Sequence, residues 1–320
     1  MSRVVVTDHA FPDVRHEEAM AETEGADFSI HALTTEAETI AATKGADVLL
    51  VNFAPITRAV LEGLARGATV IRYGVGYENV DVEAAREAGV KVANVPDYGT
   101  DTVADHAAAL ILPLMRRLPA HDRAIREQGW ARPPHVGSVT AMKDATIGIV
   151  GTGRIGLALV RRLHCFGPRI VAHDPYADRE SLERHGVEHV ELDELLASAD
   201  AVSLHVPATP ETHHLIDAAA LRRLKPGAVI VNTARGSLID TRALAEALAS
   251  GRLGGAGLDV FEDEPLPEDS PLREAANVIL TPHAAFYSDA AVDDLQRLAA
   301  EEAARALRGE PLRSRVDGGP

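Results

Sequence analysis

The sequence predicts an α/β protein built from two doubly wound parallel-sheet domains. Three observations lead there. Short β-prone apolar runs alternate with helical segments rich in Ala, Glu and Leu along most of the chain, the pattern of β-α units whose parallel sheet carries helices on both faces. A chain of 320 residues is long for a single core, which favours two domains. Finally, Ala145–Asp174 reads A-T-I-G-I-V, then Gly151-Thr152-Gly153-Arg154-Ile155-Gly156, then an apolar-periodic helix and R-I-V-A-H-D. A strand, a glycine turn, a helix and a second strand closing on an acid are the marks of a Rossmann-like unit.

That stretch carries the first chemistry. Gly151 permits a tight turn off the strand, Gly153 lacks a Cβ where a pyrophosphate would approach, and Gly156 lets the helix pack on the sheet. With Arg154 and Ile155 the loop opens a helix whose N-terminal N–H groups and positive dipole end suit phosphates. Asp174 lies 18 residues after Gly156 and 23 after Gly151, bracketing the spacing of ~20 for a ribose-binding carboxylate. It would accept hydrogen bonds from both ribose hydroxyls and repel a 2′-phosphate. His173, Pro175 and Tyr176 flank it, so NAD is favoured over NADP. A lone G-x-G-x-x-G is as easily a flexible turn; strand, helix and distal acid together make it specific.

Taken in order, strand-like runs fall at Val4–Thr7, Asp27–Ala32, Val48–Asn52, Thr69–Arg72 and Val90–Ala93, with intervening helices closing at Gly25, Gly45, Gly67 and Gly89. After the turn-rich Asn94–Thr100, Asp101–Leu118 reads as a long helix interrupted by Pro113, and Gln128–Val139 as loop. Beyond Asp174, strands are expected at Ala201–Val206, Ala228–Thr233, Gly255–Val260 and Val278–Thr281, and helices at Asp193–Ser198, Asp217–Leu224 and Thr241–Ser250. The Pro- and acid-rich Glu262–Pro271 is a loop, a helix runs from Asp289 to about Arg308, and the polar tail from Arg313 is expected to be loose. If the last helix returns to the first domain, residues 1–100 with 286–320 form a flavodoxin-like substrate domain and 101–285 the cofactor domain. The expected active site is then the cleft between them.

Composition narrows the function. A formal charge of −16 argues against nucleic acid and anionic membrane surfaces. No apolar run approaches the ~20 residues of a membrane span, and no N-terminal signal pattern precedes the first strand, so a cytoplasmic location is expected. Cys165, the single cysteine, cannot form an internal disulfide and is expected to be a packed, inert thiol. No H-E-x-x-H or cysteine ligand set is present, so no metal site is expected.

Several motifs together give the chain a family resemblance. Gly151–Gly156 with Asp174, Asn232-Thr233-Ala234-Arg235-Gly236, Gly257-Leu258-Asp259-Val260-Phe261-Glu262-Asp263-Glu264-Pro265 and Thr281-Pro282-His283 resemble the D-isomer-specific 2-hydroxyacid dehydrogenases. Arg72-Tyr73-Gly74-Val75-Gly76, with His283-Ala284-Ala285-Phe286-Tyr287-Ser288, is similar to the branch that includes the C-terminal-binding-protein co-repressors. The resemblance implies two Rossmann-like domains, NAD as cofactor, a 2-keto or 2-hydroxy acid substrate, and a homodimer formed through the cofactor domain. It also implies the catalytic set Arg235, Glu264 and His283, in that chain order.

The residue types suit that chemistry. Reduction of a 2-keto acid needs a hydride donor, an anchor for the carboxylate and an acid for the new alkoxide. Arg235, just past a buried strand, offers a planar fork for a carboxylate or keto oxygen. His283, also after a strand, is the acid in reduction and the base in oxidation. Glu264 would hydrogen-bond the imidazole and favour its protonated form, although taken alone, in the acidic run Glu262-Asp263-Glu264, it reads more readily as a solvated charge. Gly74-Val75-Gly76 would present backbone N–H groups to the substrate carboxylate, with Arg72 as a second contact or merely a salt-bridged strand residue and Tyr73 and Phe286 beside the substrate. By resemblance Asp259 accepts from the nicotinamide carboxamide, His283 faces the same ring, and Val206, Thr233 and Ala234 line the nicotinamide ribose. His213 and His214 read as solvated loop residues.

Departures sharpen the expectation. Formate-specific relatives carry Gln where this chain has Glu264, so formate is disfavoured. Phosphoglycerate dehydrogenases often carry a regulatory domain, and within these 320 residues none is expected. The co-repressor branch has Trp where this chain has Phe286, which removes an indole N–H from the pocket. Two other functions stay open: an NAD(H)-sensing scaffold, and a dehydrogenase of another hydride donor such as phosphite. Closure of the two domains over substrate is expected for an enzyme of this kind.

Overall fold

A computed structural model describes residues 1–318. It divides the chain into two compact units, Met1–Gly99 with the segment from Tyr287 onward, and Thr100–Phe286.

In the first unit β1 (Arg3–Val6), α1 (Arg15–Glu24), β2 (Asp27–Ile30), α2 (Glu36–Thr43), β3 (Val48–Val51), α3 (Arg58–Glu62), β4 (Thr69–Arg72), α4 (Val82–Ala88) and β5 (Lys91–Asn94) alternate. Every strand sits within a residue or two of its expected place. The five strands are parallel in the order β2-β1-β3-β4-β5. Strands buried on both faces need continuous apolar runs, and Val48-Leu49-Leu50-Val51 is fully buried. Local chemistry fixes the helix ends. Thr35 and Glu38 form a capping box on α2, Asp81 caps α4, and Gly25 and Gly89 close α1 and α4 in the left-handed region.

The second unit begins with α5 (Thr100–Met115) and α6 (Leu118–Gln128). Pro113 does not interrupt α5, which runs two residues past it. The break comes at Arg117, whose φ of 56° lies in the left-handed region, and α6, unanticipated from sequence, then starts with Pro119 in its first turn. Of the expected loop at Gln128–Val139, Gln128 ends α6 and Pro133–Val136 forms a 3₁₀ turn. Next come β6 (Thr146–Val150), α7 (Arg154–Leu163), β7 (Arg169–His173), α8 (Arg179–Arg184), β8 (Glu188–His189), α9 (Leu192–Ser198), β9 (Ala201–Leu204), α10 (Ala218–Arg223), β10 (Val229–Asn232), α11 (Thr241–Ala249), β11 (Gly255–Leu258) and β12 (Val278–Leu280). The seven strands are parallel in the order β12-β11-β10-β9-β6-β7-β8. Strand order reverses between β6 and β9, and a parallel sheet of this kind binds ligands at the carboxyl ends of its strands at that switch point.

Each face of this sheet carries its own core. Leu195, Leu204, Leu221, Ile230 and Leu244 fill one, and Leu110, Ile111, Leu114, Ile149, Leu159 and Leu163 the other. Gly148 and Gly257 leave room for Leu195 and Leu110, which would lie within 3 Å of a Cβ there.

The last helix, α12 (Asp289–Leu307), is capped by Ser288 and belongs to the first unit, where it packs on α1, β3 and β4. Buried Glu17 of α1 accepts hydrogen bonds from Tyr73 Oη (2.8 Å) and Gln296 Nε2 (3.3 Å). Burial raises the Glu17 carboxyl above its usual range despite both donors. The tail corrects the expectation of a loose end. Ser314 O accepts from Asn94 N, Val316 N donates to Val92 O, and Asp317 accepts from Val92 N, so the chain lines the exposed edge of β5 as a short antiparallel bridge. Gly319 and Pro320, within that expected loose stretch, lie outside the described residues.

Candidate active site

The glycine loop is built by close packing. Gly151 has φ 91°, and a Cβ there would lie 2.8 Å from the His205 carbonyl and from Val206 Cγ1, so the turn is seated directly against the segment leaving β9. A Cβ at Gly156 would overlap the Gly151 carbonyl, which brings α7 down onto the turn. Gly153 differs, since a Cβ there meets nothing within 4 Å. Gly153 and Arg154 are exposed, Ile155 is half-buried, and no side chain caps α7. The helix therefore opens onto free space with its first-turn N–H groups.

Asp174 stands at the end of β7. Its Oδ2 accepts from Thr152 N and Thr152 Oγ1, both at 2.8 Å, and its Oδ1 from Tyr176 N at 3.0 Å. Burial alone would raise this carboxyl, but the Thr152 and Tyr176 donors outweigh it and hold the group below the usual aspartate range. It is a fixed anion with lone pairs to spare for ribose hydroxyls. Thr233, one register step beyond the Asn232–Leu204 pair, is buried, and its Oγ1 has no hydrogen-bond partner among the described residues. An open glycine, an uncapped helix start, a terminal anion and an unsatisfied buried hydroxyl all fit a dinucleotide. Val206 and Ala234, half-buried, pack against one of the cores.

Arg235 and Glu264 are placed by a neighbouring frame. Asn232, buried at the end of β10, accepts from Ala234 N (3.0 Å) and donates to Arg235 O (2.8 Å), which fixes the backbone that carries Arg235. Arg235 is half-buried and its guanidinium donates to Ala234 O. Gly236 then passes so close to Phe261 and Glu262 that a Cβ would overlap their backbone atoms. Phe261 N in turn donates to Glu264 Oε1 at 3.0 Å. Glu262 pins the same segment: its carboxylate takes His214 Nε2 (2.6 Å) and Thr241 N (2.8 Å). His214 is thus not the freely solvated residue its sequence context suggested.

Glu264 Oε2 meets His283 Nδ1 at 2.7 Å, each side chain being about one-third exposed (35% and 36%). Burial pushes the Glu264 carboxyl up, but the His283 and Phe261 hydrogen bonds and the charges of His283 and Arg235 bring it below the usual range. With Nδ1 engaged by the carboxylate, Nε2 is the nitrogen left to exchange a proton.

His283 is held in an unusual backbone conformation, φ 52°. Asp259, just past β11, braces this turn. Asp259 is fully buried. Its Oδ1 accepts from Thr281 Oγ1 (2.5 Å) and Ala284 N (2.8 Å), its Oδ2 from Ala285 N (2.8 Å), and its carbonyl from His283 N (2.8 Å). This carboxylate holds the turn that carries His283.

Two other expectations change, those for Tyr73 and Cys165. Tyr73 is 1% exposed with its hydroxyl on Glu17, so its side chain belongs to the core of the first unit and is not a substrate contact. In that unit the Arg72 guanidinium lies over Gly74 (φ 116°), Val75 is exposed, Val75 O accepts from Asn94 Nδ2 (2.7 Å), and Gly76 is buried. Cys165 sits exposed on a 3₁₀ turn, not packed in a core. Phe286 is half-buried at the end of the second unit. Sequence reasoning also passed over His205, whose Nε2 contacts Ser203 Oγ (2.9 Å) and whose Nδ1 is buried without a partner among the described residues; burial lowers it to about 4. Among the described residues no cluster of three or more metal-ligating side chains and no helix long and apolar enough to cross a membrane is present.

Two parallel α/β units, one of them a seven-stranded sheet with a glycine loop at its switch point and an Arg, Glu and His set beyond β10, β11 and β12, define a dinucleotide-binding oxidoreductase architecture. Comparison with known proteins agrees. The model described as "D-isomer specific 2-hydroxyacid dehydrogenase, NAD binding domain" matches residues 108–285, and the chain belongs to that family. It is 45% identical over 272 residues to a D-3-phosphoglycerate dehydrogenase of Mycobacterium bovis, covering 85% of this chain and 51% of that protein. It is 44% identical over 259 residues to a glyoxylate reductase of Korarchaeum cryptofilum, covering 80% of this chain and 78% of that one. The chain thus spans about half the length of the phosphoglycerate dehydrogenases it matches. Among solved structures, the TT0316 protein of Thermus thermophilus superposes with a TM-score of 0.88 at 35% identity over 98% of this chain and 99% of that one. A D-lactate dehydrogenase of Aquifex aeolicus complexed with NAD and lactic acid gives 0.90 at 28% identity over 99% and 100%.

Proposed function

We propose that this protein is an NAD-dependent dehydrogenase that interconverts a 2-keto acid and a D-2-hydroxy acid, working mainly as a reductase. The observation that carries the reading is the 2.7 Å pair of Glu264 and His283 in the same unit as Arg235 and the glycine loop. A bound nicotinamide supplies the hydride; the chain's own residues do the rest. Arg235 holds the substrate carboxylate or keto oxygen through its fork and draws electron density onto that oxygen. His283 delivers its Nε2 proton to the oxygen as the alkoxide develops, and takes it back in the oxidation direction. Glu264, an anion across the working pH range, stabilises the imidazolium and fixes its orientation. Asp174 accepts from the adenosine ribose and disfavours a 2′-phosphate, and Thr233, Ala234 and Val206 border the nicotinamide ribose. In the first unit Arg72 and the backbone N–H groups of Gly74–Gly76 are proposed contacts for a carboxylate.

The reading includes a cytoplasmic homodimer formed through the cofactor domain. Leu118, Ile125 and Trp130, all exposed on and beside α6, support it, and sedimentation of the wild type against a Trp130→Glu variant tests it. Substitution of Arg235 by Lys tests the mechanism. A point charge cannot replace a fork, so turnover should fall severely, and wild-type kinetics would remove Arg235 from the scheme.

A further inference from the structure

We propose that His106 of α5 is a positioning residue for His283, acting through Thr281 and Asp259. The inference rests on the reading of His283 as the proton donor. The turn after β12 needs external support because His283 adopts φ 52°, a left-handed conformation that is unfavourable for a residue with a Cβ. Asp259 provides most of it through the amides of Ala284 and Ala285. Thr281 opens the turn, and its hydroxyl donates to Asp259 Oδ1.

That donation fixes the next link. A hydroxyl has one hydrogen, and that of Thr281 is committed to Asp259. His106 Nε2 lies 3.0 Å from the same Oγ1 and 3.8 Å from Asp259 Oδ1. It must therefore be the donor, with its proton on Nε2. The chain runs His106 Nε2–H to Thr281 Oγ1, Thr281 O–H to Asp259 Oδ1, and Asp259 Oδ1 from Ala284 N–H, the residue next to His283. Its far end is rigid, since α5 packs on α7, β10 and β11. The imidazole of His106 ties the His283 turn to a helix far away in sequence and restrains Thr281 and the buried carboxylate together. It touches no substrate in this account; its effect reaches the reaction only through where His283 Nε2 sits.

The test uses the full-length chain. His106→Leu keeps apolar bulk and removes the donor, whereas His106→Gln can return an N–H near the Nε2 position. In His106→Leu, kcat should fall roughly ten- to hundredfold, the scale expected for sub-ångström misplacement of a reacting group, while NADH affinity and KM for the keto acid stay within about twofold. His106→Gln should regain most of kcat. Thr281→Val should reproduce the loss, and the His106→Leu/Thr281→Val pair should be no worse than the poorer single variant. The imidazole resonances of His283, read by NMR without turnover, should move in His106→Leu and return in His106→Gln. Wild-type kcat in His106→Leu, multiplicative losses in the double variant, or an unmoved His283 resonance would each overturn the proposal. Failure of the functional reading shows separately, as a wild-type protein that turns over no keto acid or a His283→Ala variant that remains active. Should His106→Leu not fold, Thr281→Val and the His283 resonance decide.

Discussion

Gly236 offers a sharp test of how the site is assembled. It has ordinary backbone dihedrals, so alanine meets no conformational penalty there, only a steric one. A Cβ at 236 would lie at least about 1 Å inside ordinary contact with the Phe261 carbonyl and the Glu262 nitrogen. These are backbone atoms and cannot swing aside as a side chain can. Either the Arg235–Gly236 segment or the Phe261–Glu262 segment must move by that order. Phe261 N donates to Glu264, and Glu264 carries His283, so the displacement passes directly into the acid–base pair. A shift of ~1 Å in a reacting group costs on the order of 10²-fold in rate, equivalent to about 2.7 kcal/mol of barrier. Overpacking should cost a further ~1–3 kcal/mol of stability. Steady-state kinetics with NADH and a keto acid, alongside fluorescence titration of NADH, read this out. The expected result is a Gly236→Ala protein that binds NADH within about threefold of wild type and turns over ~10²-fold more slowly. A folded variant with kcat within threefold of wild type would refute the reasoning that the 235–236 and 261–264 segments position the catalytic pair.

Other outcomes follow from the same geometry. Gly153→Ala should fold and melt like the wild type, because a Cβ there meets nothing within 4 Å, yet lose most NADH affinity because the methyl group occupies the phosphate approach; unchanged affinity by titration would exclude that approach. In Glu264→Gln the carboxylate that fixes the His283 ring through Nδ1 is gone, so turnover should fall on the order of 10²-fold while NADH affinity persists, and wild-type kcat would contradict the pairing. Because the folded Glu264 carboxyl titrates below its unfolded value, its stabilisation is present above the usual glutamate range and disappears as pH falls through the lowered value, so melting differences between wild type and Glu264→Gln should shrink in acid. His205, neutral in the fold and lowered to about 4, contributes stability that is complete above ~6.5 and declines as pH falls toward that value, by up to about 3 kcal/mol; thermal melts between these limits should be flatter for His205→Leu than for wild type, and parallel curves would exclude the buried imidazole as the cause.

The parts of the fold set by local patterning were legible in the sequence. Strand positions other than the two-residue β8, the Asp289 start of α12 and the glycine loop depend on neighbours a few residues away, so apolar runs, turn residues and the spacing to Asp174 were sufficient. What escaped was set by partners far along the chain. α6 follows a break at Arg117, a residue with no intrinsic signal for the left-handed region. The tail looked polar and loose because Asp317 and Ser314 find their partners more than two hundred residues away in β5. The site divides in the same way. Arg235, Glu264 and His283 stand beside glycines, prolines and strand ends that announce a motif, whereas Asn232, His106 and Thr281 act through hydrogen bonds that only the folded register creates. Tyr73 was assigned an outward role because its motif sits beside the chemistry; burial and its bond to Glu17 assign its side chain to the core instead.

The central claim is that His283, held by Glu264, moves the proton in a hydride transfer between NADH and a 2-keto acid. The most direct measurement is the loss of NADH absorbance against glyoxylate, hydroxypyruvate, pyruvate, phenylpyruvate and a branched keto acid, run on wild type and His283→Ala together with NADH titrations of both. Saturable turnover by the wild type on at least one keto acid, abolished in His283→Ala while NADH affinity persists, is the result predicted here. Tight NADH binding with no turnover on any of them would contradict it and favour a cofactor-sensing scaffold, with phosphite and NAD⁺ as the next pair to assay. Undiminished turnover in His283→Ala would contradict the assignment of the proton donor.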